Sequence, residues 1–299
     1  MAKLVRGQPS IAIVNEQIDE EVLKEILEEL RTNTTVVRLV FHDANMNHVH
    51  AHQIAHMLKG NSTIQVINFN ENYNIGDVGT CNLATSIKEN TGIREIHLDN
   101  VNMSSQGVCS LAQALVERAL AQPSSCVELV SLEYNEIDKD GIYAAMAKVY
   151  DPIMGQKLHH GLADVIVQTN LKELNLNGNE IGNDGVKFLC DALQEDCSML
   201  KVLRLKRNGI NNEGFCYIST MLQKNKSLET IELNNNQIVH ALDDENGRHD
   251  LTRPLAAIFA SNRTLKVLSL RHNLLASQDI KSVQQWRATA KPSTPQILL

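Results

Sequence analysis

The sequence predicts an α/β solenoid in which strands and helices alternate along the whole chain. Two observations predict it: an apolar pattern that recurs eight times, and an asparagine at a regular place within that pattern. The pattern is clearest in LKELNLNGNEIGNDG, residues 171–185, and in LKVLRLKRNGINNEG, residues 200–214. Its skeleton is L-x-x-L-x-L-x-x-N-x-I, with Gly four residues after the Ile. A recurring pattern of this kind indicates stacked repeats that share one continuous core.

The first apolar residue of each repeat defines position 1, and a degenerate repeat that begins at Gln8 precedes the others. Repeats 1 to 8 begin at Val36, Ile64, Ile93, Val127, Leu171, Leu200, Leu228 and Leu265. Successive starts, counted from Gln8, are 28, 28, 29, 34, 44, 29, 28 and 37 residues apart. A period of 28 to 29 residues has room for a strand of about five residues and a helix of roughly ten to twelve.

Positions 1, 4 and 6 are apolar, as in Leu171, Leu174 and Leu176. Alternate residues of a strand face opposite sides, so this pattern predicts parallel strands with one shared buried face. We expect the amide at position 9 to bond backbone groups where the chain leaves the strand. The asparagines at position 9 are Asn72, Asn135, Asn179, Asn208, Asn236 and Asn273, whereas Ala44 and Val101 break the pattern.

A second asparagine lies three residues before position 1 in five repeats. These residues are Asn33, Asn61, Asn90, Asn225 and Asn262. Because asparagine tolerates the left-handed conformation that ends many helices, we expect each one to cap the preceding helix. Four of the five also form N-x-S/T, the acceptor pattern for glycosylation, which requires a secretory context.

Repeats of 28 to 29 residues with N-x-I-x-x-x-G resemble the ribonuclease-inhibitor class of leucine-rich repeats, over nearly the whole chain. The resemblance implies a curved horseshoe with the parallel sheet on its concave face and the helices on its convex face. Members include ribonuclease inhibitors, the activator of the Ran GTPase, the actin-capping domain of tropomodulin, sensing regions of innate immune receptors and injected bacterial effectors. Most of them bind a protein. This chain is not cysteine-rich like ribonuclease inhibitor and lacks the acidic C-terminal extension of the Ran activator, which disfavours both as close relatives.

A single solenoid domain over residues 1–299 is expected, because stacked repeats extend one core without dividing it. The predicted units are an N-terminal capping unit (1–35) with a helix over Ile18 to Leu30, the repeats (36–264) with inserted loops near 150–161 and 240–250, the last repeat with a C-terminal cap (265–290), and a loose tail (291–299). The apolar residues of the first helix have helical spacing, and the two loops explain the longest intervals between repeats.

Positions 5, 7 and 8 are expected to project from the concave face. Residues 1–150 carry 11 basic and 19 acidic side chains, a net charge of −8, whereas residues 151–299 have a net charge of +1. Complementary charges steer protein association, so we expect a protein partner on this face. The candidate partner-binding residues are Asp43, Glu71, His97, Asp99, Glu133, Tyr134, Arg204, Lys206, Arg207 and Arg271. The alternative is that these charges are merely solvated.

No P-loop, H-E-x-x-H, nucleophile elbow or dinucleotide fingerprint occurs, so we expect neither catalysis nor a bound cofactor. His52 and His56 share one helix face, but no carboxylate or cysteine at suitable spacing completes a metal site. A net charge of −7 and an aromatic content of 4% disfavour nucleic acid as a partner.

No apolar run approaches the roughly 20 residues of a membrane span. The six cysteines contain no C-x-x-C pair, which favours reduced thiols and a cytoplasmic monomer. The predicted function is a non-enzymatic protein-interaction module, acting as a cytosolic adaptor or as a bacterial effector in the host cytosol. The alternative is a regulator of a small GTPase that resembles the Ran activator, in which Arg38 or Arg94 completes the GTPase site.

Overall fold

The computed structural model describes residues 8–144, 160–195, 197–239, 251–275 and 296–298, together with residues 153, 155 and 281. Ten strands and nine helices lie within these residues. The strands are β1 (Ser10–Val14), β2 (Arg38–His42), β3 (Val66–Asn68), β4 (Glu95–His97), β5 (Leu129–Ser131), β6 (Glu173–Asn175), β7 (Val202–Arg204), β8 (Thr230–Glu232), β9 (Val267–Ser269) and β10 (Gln296–Leu298). The helices are α1 (Glu20–Leu30), α2 (His48–Gly60), α3 (Gly76–Ile87), α4 (Ser105–Ala121), α5 (Lys139–Ile142), α6 (Leu162–Gln168), α7 (Gly182–Leu193), α8 (Asn212–Lys224) and α9 (Thr252–Ser261).

The ten strands form one open sheet, in which they lie in chain order and every neighbouring pair is parallel. The register of this sheet is the register of the repeats, since Glu173 at position 3 pairs with Val202 at position 3 of the next repeat. Ile11 pairs with Leu39, which confirms that the degenerate repeat begins at Gln8. The predicted solenoid of helices and one parallel sheet is therefore confirmed.

The core follows the apolar positions of the repeat. Leu171, Leu174 and Leu176 are all buried, and position 1 is buried in each of repeats 1 to 8. The glycine near the start of α3, α4, α5, α7 and α8 lies where a side chain would not fit. A Cβ atom on Gly79 would lie 2.6 Å from Cγ2 of Ile75, so close packing explains the choice of glycine there.

The position 9 asparagines, called the turn asparagines below, join neighbouring repeats. Asn72 is buried, and its Nδ2 donates to the carbonyl oxygen of Phe41 in the preceding repeat at 2.6 Å. Its Oδ1 accepts from the backbone N–H groups of Ala44 at 3.1 Å and Met46 at 2.9 Å. One amide thus satisfies backbone groups that would otherwise be buried without partners, as the sequence predicts.

The asparagines three residues before position 1, called the loop asparagines, do not adopt the predicted left-handed conformation. Asn61, Asn225 and Asn262 are the C-cap residues of α2, α8 and α9, as predicted, but their φ values of −103°, −63° and −76° are not left-handed. Asn262 Oδ1 instead accepts from the N–H groups of Thr264 and Leu265, while its Nδ2 donates to the carbonyl oxygen of Leu222 at 2.6 Å. The backbone is extended because one side chain must reach both its own strand and the preceding helix. The buried, bonded Nδ2 is also the atom that glycosylation would modify.

The ends of the solenoid differ in part from the prediction. The first helix begins at Glu20, where Asp19 caps it, and ends at Leu30. Residues 296–298 form β10, which pairs with β9 and buries Ile297, so this part of the tail is not loose. An apolar strand at this edge satisfies backbone groups of β9 that would otherwise be unpaired. Most of the loop near 150–161, the whole loop at 240–250 and nearly all of 276–295 lie outside the described residues.

Candidate protein-binding surface

Positions 5, 7 and 8 of the repeats form a polar surface, called the sheet face below. None of the ten predicted partner-binding residues is buried. The exposed ones are Asp43, Glu71, Tyr134, Arg207 and Arg271, and the half-buried ones are His97, Asp99, Glu133, Arg204 and Lys206. They are distributed over repeats 1 to 4, 6 and 8, so the structure brings only some of them together.

Position 8 has a left-handed backbone in all eight repeats, with φ between 49° and 65°. The residues are Asp43, Glu71, Asn100, Tyr134, Gly178, Arg207, Asn235 and His272. This conformation is unfavourable for residues other than glycine, and the sheet register enforces it at the turn out of each strand. Four of the predicted partner-binding residues stand at this turn, where the backbone fixes the direction in which their side chains leave the sheet.

An acidic network occupies repeats 2 to 4 of the sheet face. Asp99 Oδ1 accepts from the hydroxyl of Ser131 at 2.6 Å and from the backbone N–H of Glu133 at 2.7 Å. Its Oδ2 accepts from Nδ2 of Asn70 at 2.8 Å. Burial raises the pKa of the Asp99 carboxyl above its usual value, although these hydrogen bonds oppose the shift. The carboxylate therefore organises the neighbouring strands, a role that its position alone did not reveal.

Two of the predicted basic residues, Arg204 and Lys206, are paired within the chain. Arg204 forms ion pairs with Glu173 and Glu232 on the neighbouring strands, and Lys206 Nζ lies 2.6 Å from Glu232 Oε2. The sequence prediction did not include these carboxylates among the site residues. Within the described part of the chain, Arg207 and Arg271 form no ion pair. Their charges are therefore available to an anionic group of a partner.

An aromatic ring and a guanidinium are joined across repeat 5. Nη1 of Arg207 lies 3.2 Å from the hydroxyl of Tyr134, although 73 residues separate them. A Cβ atom on Gly178 would overlap the Tyr134 ring, so glycine at position 8 of repeat 5 makes room for it. Tyr134 remains 47% exposed. A signal for this arrangement was present in the sequence, since Gly178 is the glycine in a column otherwise occupied by larger residues.

The remaining candidate residues are a histidine pair and two arginines. His52 and His56 are exposed, but His52 contacts Asn82 and His56 contacts Arg31. No group of three or more His, Cys, Asp or Glu side chains in the described residues is arranged to hold a metal ion. Arg38 is exposed at position 3 of repeat 1, where it is the first residue of β2, whereas Nη1 of Arg94 donates to the carbonyl oxygen of Cys126 at 3.0 Å. None of the helices in the described ranges is both long and apolar enough to cross a membrane.

A comparison with protein families agrees with the repeat interpretation in the middle of the chain. A family model described as Leucine Rich repeat matches residues 167–190 and 196–215. No curated protein matches the chain in sequence. A chain of the TLR13–ssRNA13 complex is similar in structure, with a TM-score of 0.48 and 15% identity, over 87% of this chain and 33% of that one. A chain of the yeast Rad7 and Elc1 complex gives a TM-score of 0.43 and 11% identity, over 93% of this chain and 70% of that one.

This chain spans only about a third of the length of the TLR13 chain. The assignment of the fold depends on the sheet and its repeats. Each neighbouring pair of strands is parallel and in repeat register, the turn asparagines join successive repeats, and the family model matches consecutive repeats in the middle of the chain. The chain therefore folds as a leucine-rich repeat solenoid.

Proposed function

We propose that this chain is a non-enzymatic protein-interaction module that holds a protein partner on its sheet face. The observation that carries the proposal is the contact between Tyr134 and Arg207, an exposed ring and a guanidinium held together across Gly178. Tyrosine and arginine are among the residues that contribute most to binding energy in protein interfaces. Side chains that are ordered before binding also lose less conformational entropy when the partner arrives.

The charges of the face define the partner further. Asp43, Glu71 and Glu133 lie in the N-terminal repeats, whereas Arg207 and Arg271 lie in repeats 6 and 8. Because Arg204 and Lys206 are already compensated by Glu173 and Glu232, they add little net attraction. We therefore expect the partner to present an anionic group to Arg207 and Arg271 and cationic groups to the N-terminal repeats.

The dimensions of the sheet face suit a protein partner. Ten parallel strands at a spacing of about 4.8 Å give a face roughly 40 Å long. A standard interface buries about 800 Å² on each partner, which fits on a face of this length. The ten candidate residues, from Asp43 to Arg271, are spread over most of this length.

The finer classification is also a proposal. We place the chain in the ribonuclease-inhibitor class of leucine-rich repeats, as one solenoid domain that acts as a monomer and does not bind nucleic acid. Five of the eight intervals between repeats measure 28 or 29 residues, which supports the class. Cys109, Cys190 and Cys216 are free thiols, which supports a cytosolic adaptor or an effector that a bacterium delivers to the host cytosol.

The test uses two single substitutions in the sheet face, Arg207→Glu and Tyr134→Ala. Affinity capture from a eukaryotic cell lysate, with quantitative mass spectrometry, should show the same proteins lost from both variants. Single changes are preferable to reversal of Arg204, Lys206 and Arg207 together. That triple change would bring new carboxylates at positions 204 and 206 next to Glu173 and Glu232 and would perturb the sheet itself.

The matched control is Lys187→Glu, which makes the same change of charge on the exposed side of α7. We expect this variant to retain the captured proteins, because the helices face away from the proposed site. Melting temperatures of all variants should differ little from wild type, since exposed substitutions usually change stability by less than about 0.5 kcal/mol. A protein set that both sheet-face variants retain in full would show that this face is not the binding site.

The alternative function is regulation of a small GTPase by an arginine of this chain. Its support is the exposure of Arg38 on β2, because an arginine that completes a GTPase site must reach the nucleotide of its partner. Arg94 is less suited, since its guanidinium is bonded to Cys126. GTP hydrolysis by a panel of small GTPases, with wild type, Arg38→Ala and Arg94→Ala, tests this function. Acceleration that only Arg38→Ala abolishes would establish it, and no acceleration with any GTPase of the panel would reject it for that panel.

A further inference from the structure

The thiol of Cys126 has surroundings unlike those of other cysteines in the chain. Burial raises the pKa of Cys109 to about 12 and raises the pKa of Cys190, and Asp140 and Asp191 add to the respective shifts. Burial and Glu213 together raise the pKa of Cys216. Each of these environments disfavours a thiolate. Cys126 is half-buried and lines a crevice together with Arg118. Its backbone carbonyl oxygen accepts from Nη1 of Arg94, and its thiol donates to the carbonyl oxygen of Pro123 at 3.2 Å.

One of these groups, Arg118, is a buried cation without a carboxylate partner among the described residues. It is 1% exposed, and its Nη2 donates to the carbonyl oxygen of Ile93 and to Oγ of Ser125, both at 2.8 Å. Its Nη1 is buried and has no hydrogen-bond partner in the part of the chain that the structure describes. Burial and the charge of Arg94 lower the pKa of Arg118 to about 10, whereas a negative charge at Cys126 opposes that shift.

Arg118 and Cys126 line the same small crevice between repeats 4 and 5. Ser125, Thr169 and Asn170 also line it, and it has room of about 10 Å³ for a water-sized atom. This is close to the space that one oxygen atom needs. Nδ2 of Asn170 donates to Sγ of Cys126 at 2.9 Å, so the sulfur is already in contact with a hydrogen-bond donor.

We propose that Cys126 is a site of oxidation to sulfenic acid by hydrogen peroxide, with the added oxygen accepting a hydrogen bond from Nη1 of Arg118. The sulfur attacks one peroxide oxygen, so that an S–O bond forms and the O–O bond breaks. Sulfur loses two electrons to the peroxide, and the leaving hydroxide takes the thiol proton to become water. Reactive cysteines occur in partly exposed, electropositive surroundings, as here. A thiol returns the sulfenic acid to the reduced state by way of a disulfide.

The test treats the purified chain with hydrogen peroxide in the presence of dimedone, which traps sulfenic acids, and measures each cysteine peptide by mass spectrometry. We expect the Cys126 peptide to carry several-fold more adduct than the peptides of Cys197 and Cys216, although those two residues are exposed. Exposure alone would give the opposite order. Equal or weaker labelling of Cys126 would overturn the proposal.

Two further measurements test the surroundings. Asn170→Asp is isosteric and exposed, and its carboxylate should lower Cys126 labelling several-fold by disfavouring negative charge on sulfur. Asn74→Asp makes the same change on an exposed residue of repeat 2 and should leave labelling unchanged.

Peroxide should also raise the melting temperature of wild type, reversibly with dithiothreitol, because Nη1 of Arg118 gains an acceptor. No such rise relative to Cys126→Ser, or unchanged labelling in Asn170→Asp, would contradict the role of these side chains.

Discussion

Two columns of asparagines join the repeats at opposite ends of the strands, and they differ in continuity. The turn asparagines, which follow the strands, begin at Asn72 and continue to Asn273 with one gap, at Val101. The loop asparagines, which precede the strands, stop after Asn90 and resume at Asn225. The missing members belong to repeats 4 to 6, where two of the longest intervals between repeats occur.

In these middle repeats a hydroxyl residue two positions before position 1 takes the place of the amide. Ser125 Oγ donates to the carbonyl oxygen of Thr91 at 2.9 Å, and Thr169 Oγ1 donates to that of Val165 at 2.6 Å. Ser198 Oγ is buried without a partner among the described residues. An amide has two donors and an acceptor and can bridge two repeats, whereas a hydroxyl has one donor. The longer intervals before repeats 4 and 5 thus coincide with the loss of the amide bridge, whereas the interval of 37 residues before repeat 8 retains the bridge of Asn262.

Removing a turn asparagine should have the largest effect on this comparison. In Asn236→Ala, the carbonyl group of Leu205 and the N–H groups of Asn208 and Ile210 lose their partners, and the carbonyl group of Leu233 keeps only its bond from Asn273. Each buried group left unpaired costs roughly 1–3 kcal/mol, so we expect a loss of about 3 kcal/mol or more. Urea unfolding followed by circular dichroism measures this loss.

The control for that substitution is Gln237→Ala, which removes the neighbouring exposed side chain. We expect it to change stability by less than about 0.5 kcal/mol. If Asn236→Ala were as stable as this control, the turn asparagines would not be the bridges between repeats that their geometry indicates.

A loop asparagine should matter less than a turn asparagine. Asn262→Ala removes the bond from Nδ2 to the carbonyl oxygen of Leu222 and those from the N–H groups of Thr264 and Leu265 to Oδ1. We expect a loss of about 2 kcal/mol, because the bond from the N–H group of Thr264 is only partly buried and water can replace it, whereas the other two bonds are buried. The same urea titration measures it, and a loss equal to that of Asn236→Ala would remove the distinction between the two columns.

The smallest effect on stability is expected at Ser198, in the repeats that lack a loop asparagine. The substitution there should stabilise the protein. Ser198→Ala removes a buried hydroxyl that has no partner in the described structure. Burial of an unpaired polar group is unfavourable, so we expect a gain of about 1 kcal/mol. Thermal unfolding should show a higher melting temperature for this variant than for wild type. A clear decrease would mean that Ser198 has a partner and that the middle repeats are bridged as completely as the others.

The sequence predicted the parts of this protein that repeat. Eight copies of one pattern predicted the strands, their parallel order, the burial of Leu174 and Leu176, and the bonding role of Asn72. Each copy has the same residue types at the same positions, so each copy folds in the same way. The pattern also placed the ten candidate residues on one face, none of them buried. It misjudged the backbone conformation of Asn262, because the conformation of an asparagine depends on which groups lie near its side chain.

Only the tertiary structure decided which residues of that face are already paired within the chain. The pairing of Arg204 with Glu173 and Glu232, the position of the Tyr134 ring over Gly178, and the bond from Asn170 to Cys126 each join residues from different repeats. The stacking of the sheet brings these side chains within a few ångströms of each other. In sequence, 31 residues separate Arg204 from Glu173, and 44 separate Cys126 from Asn170. Sequence alone therefore determined the scaffold and its polar face, and stacking determined which charges on that face remain open to a partner.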